Sequence, residues 1–227
     1  MEQGNDIPSV IEEVFKCYTD GSYIKASMLP DLDLYVDQIT TFLTRHLAKT
    51  IRFEDDKIMT KTMINNYTKN HLLPPPDKKK YSRDHILLMI FIYYFKNFLP
   101  ISDIKTILGP LTDKYFHKDA DLNLEVIYTT LFSKEDTFVQ EVLENVMKQF
   151  HMSADLFPDA PKADQASLRE FTFICMLSLD IYLKKQLIEA ILDKKIKECL
   201  CIPLFYNNLF FIQAIQDHII TIVTIIQ

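Results

Sequence analysis

The sequence predicts an all-α protein. Three observations carry that expectation: only three glycines among 227 residues, ten prolines, and apolar residues recurring at three- and four-residue spacing. Scarce glycine argues against an all-β chain of tight turns. It also excludes Gly-rich phosphate-cradling loops, which need several glycines together, and the strained G-x-S-x-G elbow of hydrolases.

The elements follow in order. Pro8 suits a helical first turn, and Val10, Ile11, Val14 and Phe15 form an i,i+4 stripe, so a helix is expected over about 8–18. After an irregular stretch, an Asp cap near Asp33 opens a helix over Leu34–Lys49, with Val36, Ile39, Phe42, Leu43 and Leu47 on one face. A polar connection leads to a short helix, TKTMINNYTKN, capped by Thr60. Pro74-Pro75-Pro76 then forces an extended loop.

Ser82 caps the strongly apolar helix RDHILLMIFIYYFKNF. Pro100 starts another short helix that is expected to stop at Leu108-Gly109, with Gly109 as its C-terminal break. Two helices follow, over NLEVIYTTLF and EDTFVQEVLENVMKQF, before a Pro-bearing break at HMSADLFPDAPKAD. From Asp164 to about Glu198 no breaker interrupts a long helix with Leu168, Phe171, Cys175, Ser178 and Tyr182 on one stripe. That helix reads either as the spine of a small bundle or as a dimerisation helix, and a bundle that adds a dimer contact is favoured.

The last stretch differs in kind. Eight of the sixteen residues in 183–198 are charged, whereas Asp217 is the sole charge in 199–227. Asn207, Asn208, Gln213 and Gln216 interrupt the apolar run, which argues against a simple membrane span. Three readings remain for this tail: packed structure, an oligomer or membrane-surface contact, or an altered-frame extension. Packing is favoured, because long apolar runs are usually buried.

Charge is distributed unevenly. The net charge is −6, but Lys57, Lys61, Lys69, Lys78, Lys79, Lys80 and Arg83 against Asp77 and Asp84 make 57–85 a +5 segment within a −11 remainder. Phosphate backbones attract such clusters whatever the total charge. Asn65, Asn66 and Lys69 lie on a helix too short and polar to be core, and suit base edges and phosphates. The bland alternative is a solvated face.

The string MINNYTKNHLLPPPDKKKYSRDHILLMIFIYYFKNFLPISDIKTIL resembles the DNA-binding half of the MerR family. Ile64 and Tyr67 match its recognition helix, and Lys69 takes the place of an Arg. Leu72-Leu73-Pro74 follows, Lys79, Lys80, Tyr81 and Ser82 match the wing and cap, and Ile101-Ser102-Asp103-Ile104-Lys105 matches the closing helix. More closely, LYVDQITTF, TKTMINNYTKN, PPPDKKKYS and IYYFKNFLPISDIKTIL together resemble domain of unknown function 1836, a bacterial family often described as a regulator. That likeness covers about Pro30 to Leu111.

The resemblance implies a MerR-like winged helix-turn-helix followed by a small helical bundle. The expected organisation is an N-terminal helix and connection over 1–29, the helix-turn-helix over 30–111, a helical region over 112–198 and the apolar tail over 199–227. It further implies a DNA-binding transcriptional regulator with double-stranded DNA as partner and a homodimer as its form, since inverted repeats demand two-fold symmetry. The expected contact residues are Lys61, Asn65, Asn66, Tyr67, Lys69, Lys78, Lys79, Lys80 and Arg83.

Several departures accompany the match. Asn65 stands where many relatives have Arg, and the segment between the second helix and Thr60 exceeds a tight turn. His71 replaces the exit Gly, for which Asn70 is the expected left-handed substitute. For Tyr67 a phosphate contact and simple packing are equally open. For Tyr81 packing is preferred, and Arg83 sits against the helix dipole unless an anion offsets it.

Catalysis is not expected. The six histidines are scattered, with no H-E-x-x-H and no Cys-x-x-Cys. Cys199 and Cys201 read as free thiols before soft-metal ligands. No cofactor is expected, the sequence identifies no small-molecule effector, and membrane contact is not anticipated. The opening MEQGNDIPSV lacks the basic and apolar regions of a signal peptide, so a cytoplasmic location is expected. The rival reading is a non-enzymatic protein-interaction module on a winged-helix scaffold that does not bind DNA.

Overall fold

The computed structural model describes residues 6–19, 23–53 and 55–193. Eight helices are described: α1 (Ile7–Thr19), α2 (Val36–Leu47), α3 (Lys61–Lys69), α4 (Arg83–Phe95), α5 (Ile101–Tyr115), α6 (Leu124–Phe132), α7 (Glu135–Asp155) and α8 (Lys162–Asp193). Two two-residue strands join them, β1 (Leu34–Tyr35) and β2 (Lys80–Tyr81), so the chain is mainly helical as expected. The chain divides into one unit over 1–181 and another over 182–227, of which only 182–193 is described. The expectations for the tail, for Cys199 and Cys201, and for the helix end near Glu198 lie outside the described residues.

Helix α4 is the centre of the first unit. Its residues 85–93 are all buried, as a helix apolar on every side must be. It packs against α5 and α6 and against strand β2. A separate cluster joins α1, α7 and α8, where Ile11, Phe150 and Phe173 are buried with Leu143, Met147 and Leu177 around them. Along the stripe singled out on α8, Leu168 is half-buried while Phe171, Cys175, Ser178 and Tyr182 are exposed, and Phe173 is the buried residue of the helix. Both faces of this helix carry large apolar residues, so periodicity finds the helix and leaves open which face turns inward.

Local chemistry explains the helix starts. The Thr60 side chain accepts from the Met63 amide at 3.1 Å to open α3. At α4, Ser82 and His85 form a reciprocal cap in which His85 Nδ1 accepts from the Ser82 amide at 3.0 Å. The N-cap of α2 is Tyr35 rather than Asp33, because Gln38 three residues on accepts from the Tyr35 amide at 2.9 Å.

Helix α5 does not stop at Gly109. It continues through Pro110 to Tyr115. A residue before proline resists the helical region because its Cβ meets the ring, and glycine has no Cβ. Gly109 therefore permits the helix to pass Pro110 instead of ending it.

Candidate nucleic-acid interface

Helices α2 and α3 pack together although residues 48–60 separate them. Ile39, Leu43 and Leu47 from α2 and Ile64 from α3 are fully buried in this part of the core. Tyr67 joins them, 8% exposed, and burial raises its hydroxyl above the ordinary tyrosine range. Of its two readings, packing is the one this geometry provides. The opposite face of α3 is polar and exposed: Lys61, Asn65 and Lys69 follow one another at i, i+4 and i+8, with Asn66 beside them.

Lys61 forms an exposed ion pair with Asp37 on α2, a contact of small energetic value in water. The exit of α3 is a Schellman arrangement. His71, at φ 55°, donates to the Thr68 carbonyl at 3.1 Å, and Leu72 donates to the Tyr67 carbonyl at 2.9 Å. His71 itself therefore adopts the left-handed conformation expected of Asn70, whose φ is −87°.

Beyond it the chain reverses in a tight hairpin. The Lys80 amide donates to the Asp77 carbonyl at 2.7 Å, and Lys78 and Lys79 between them have φ of 46° and 64°. Two consecutive positive φ values mark a primed hairpin turn, which ordinarily selects Asn-Gly. Here two exposed lysines occupy it. Strand β2 then pairs antiparallel with β1, matching Leu34 to Tyr81 and Tyr35 to Lys80. Across that pair Lys80 places its ammonium 5.3 Å from the centre of the Tyr35 ring.

The hairpin is rooted in aromatic packing. Tyr81, 4% exposed, meets His85 edge-to-face at 5.3 Å. His85 is buried and also contacts Phe116 at 4.8 Å. Ser82 Oγ lies 2.8 Å from His85 Nδ1 and 2.7 Å from His117 Nε2. Burial holds the His85 pKa down to about 4, opposed by the carbonyls of Pro75 and Pro74. His85 is therefore a neutral structural group at physiological pH.

Arg83, an expected phosphate contact, is engaged within the fold. Its Nε and Nη2 donate to Glu125 at 2.7 and 2.8 Å. Nη1 donates to the Leu29 carbonyl at 2.9 Å and to Asp31 at 3.0 Å, and Nη2 donates to the Ala26 carbonyl at 2.6 Å. Together with the buried Tyr128 hydroxyl, which donates to the Ile24 carbonyl at 2.6 Å, it clamps the chain that leads into β1. The Glu125 carboxylate offsets the unfavourable position of Arg83 at the start of α4, and raises its pKa.

The expected site residues thus divide. Lys61, Asn65, Asn66 and Lys69 lie on the outer face of α3, Lys78 and Lys79 form the hairpin tip, and Lys80 lies along the stem, while Tyr67 and Arg83 turn inward. Two residues absent from the expected set lie beside them. Tyr35 is half exposed under Lys80, and Lys105 on α5 donates to the Asn70 carbonyl at 3.2 Å, adding a cation at the C-terminal end of α3. Lys105 belongs to the Ile-Ser-Asp-Ile-Lys string of the sequence, which was the available signal.

Residues 24–131 match the model of a domain of unknown function (DUF1836). The segment runs from Ile24, held by Tyr128, to Leu131 near the end of α6, and so includes both partners of the Arg83–Glu125 clamp. No curated protein and no solved structure matches the chain. Among the described residues no helix is long and apolar enough to cross a membrane. Among the same residues no three His, Cys, Asp or Glu side chains gather as a metal would require.

Proposed function

We propose that the DUF1836 segment binds double-stranded DNA as a MerR-like winged helix-turn-helix, in a homodimeric transcriptional regulator of the cytoplasm. The observation that carries the reading is the hairpin tip. Lysine at positive φ costs the fold free energy, and strained backbone that persists in a folded chain concentrates where function requires it. Lys78 and Lys79 make the turn with their backbone alone, and no ion pair or hydrogen bond engages their side chains among the described residues. An exposed cation pair at the end of a stiff, Pro-preceded stem is suited to phosphate. Asn65, Asn66 and Lys69 on α3 supply donors and acceptors for base edges.

The test is binding of fluorescent duplex DNA across a salt series, using the full chain. Wild-type affinity is expected to fall steeply with salt. Changing Lys78, Lys79 and Lys80 together to Ala should lower the logarithmic slope by about 2.7, at about 0.9 per phosphate contact. Absence of any DNA binding at low salt overturns the reading.

One observation favours a protein partner in addition. Phe171, Ile174 and Ile181 on α8 are 65%, 53% and 64% exposed, far more than isolated surface residues need to be. We assign this stripe to the homodimer contact. Under the rival interaction-module reading it would meet another protein, DNA would not be retained, and the triple lysine change would have no effect.

A further inference from the structure

A second feature stands apart from the basic face. The C-terminal half of α4 borders an open cavity of about 520 Å3, a volume suited to a small organic ligand. Its wall is aromatic: Tyr18 of α1, Phe91, Tyr94 and Phe95 of α4, and Phe132 and Phe138 from α6 and α7. The rings are held by one another. Phe132 lies 4.5 Å from Tyr128 and 5.1 Å from Tyr23, and Phe91 lies 5.5 Å from Tyr128.

One acidic group enters this lining. Glu135, the first residue of α7, is half-buried, and among the described residues no hydrogen bond or ion pair engages its carboxylate. Lys134 also lines the cavity but makes no ion pair with it, and Lys25 attracts it only from a distance. Loss of solvent pushes the Glu135 pKa up to about 7, with Asp136 adding to the effect. A carboxyl so placed has no ion-paired partner, an entering cation favours its charged form, and aromatic faces present negative potential. Both features repel anions and reward a delocalised positive charge.

We propose that this cavity binds a small, planar organic cation, with its charge against Glu135 and its ring system among Tyr94, Phe132 and Phe138. The site lies on the same helix that Ser82 caps and Arg83 begins, so an occupant touches the element that anchors the hairpin. The cavity shares no lining residue with α3 or the hairpin tip.

Three dyes whose emission rises on immobilisation test it with the full chain: cationic thioflavin T, neutral N-phenyl-1-naphthylamine and anionic anilinonaphthalene sulfonate. Thioflavin T is expected to bind more tightly than the anion. Glu135→Gln should weaken thioflavin T about tenfold, the scale of one lost ion pair in a partly desolvated site, and leave the naphthylamine unchanged. Phe138→Ala, at a side chain 64% exposed and therefore dispensable to the core, should weaken both. Equal affinity for cation and anion overturns the proposal, as does a Glu135→Gln protein that binds thioflavin T like wild type. It is also overturned if no dye binds and Phe138→Arg converts a dimer to a monomer, since a second copy then fills the cavity.

Discussion

Replacing Lys78 and Lys79 together by Asn and Gly keeps the hairpin turn and removes what is unusual about it. At φ of 46° and 64° each lysine bears a left-handed conformation. That costs roughly 1–2 kcal/mol per residue, which Asn reduces and Gly abolishes. The greater freedom of Gly in the unfolded chain takes back about 0.5–1 kcal/mol. The expected net stabilisation is about 1–2 kcal/mol, or a rise of roughly 2–8 °C in Tm for a chain of this size. The same change removes two cations, so the logarithmic salt slope of DNA binding should fall by about 1.8. Over a fourfold rise in salt, wild type then loses about 12-fold more affinity than the variant. Thermal unfolding by circular dichroism and anisotropy of a labelled duplex measure the two effects on one preparation. An unchanged or lower Tm refutes the strain argument, and an unchanged slope refutes the assignment of these lysines to phosphate.

Three other outcomes are expected. His85, neutral in the fold with a pKa of about 4 against an ordinary 6.5, makes stability fall by up to about 3 kcal/mol as pH drops from above 6.5 through 4, because the unfolded chain takes up the proton first. His85→Gln keeps a capping acceptor for the Ser82 amide, so in urea titrations the part of the acid loss due to this group should vanish; an unaltered pH profile shows that His85 is not its source. Arg83→Lys cannot reproduce the fork on Glu125 together with the two carbonyls, and should cost about 2 kcal/mol in thermal unfolding while leaving DNA affinity of the folded protein intact. Lost DNA affinity at unchanged Tm would return Arg83 to the phosphate contacts. Phe171→Glu with Ile174→Glu should turn a dimer into a monomer by sedimentation, and a double variant that still dimerises excludes this stripe as the contact.

The sequence exposed the parts of the fold that depend on neighbours a few residues apart. Thr60 and Ser82 are legible as caps because their partners, Met63 and His85, lie three residues on. The polar face of α3 is legible for the same reason: Asn65, Asn66 and Lys69 sit one turn or less apart, opposite Ile64 and Tyr67. The Arg83 clamp is illegible in the sequence because its partner Glu125 lies 42 residues away, and an isolated cation beside a basic run reads as part of that run. The hairpin conformation was illegible in another sense. Nothing in a Lys-Lys pair signals positive φ, so the turn is imposed by the β1–β2 register and the short span from Asp77 to Lys80. Gly109 misled because a helix stop and a tolerated pre-proline position use the same residue type.

The Arg83 clamp has a consequence for which substitutions the chain can absorb. Two of its five hydrogen bonds go to main-chain carbonyls, at Ala26 and Leu29, and Tyr128 holds a third carbonyl, at Ile24. Carbonyl oxygens are the same in every residue. With respect to these bonds, the side chains of 24–29 are free to drift provided the backbone path is kept. The constraint falls instead on three distant positions, 83, 125 and 128, each of which loses a geometry no other residue type reproduces. A saturation library should therefore be tolerant at the exposed strap positions Lys25, Ser27 and Met28, and intolerant at the buried Ile24, Ala26 and Leu29 and at the three fastening residues.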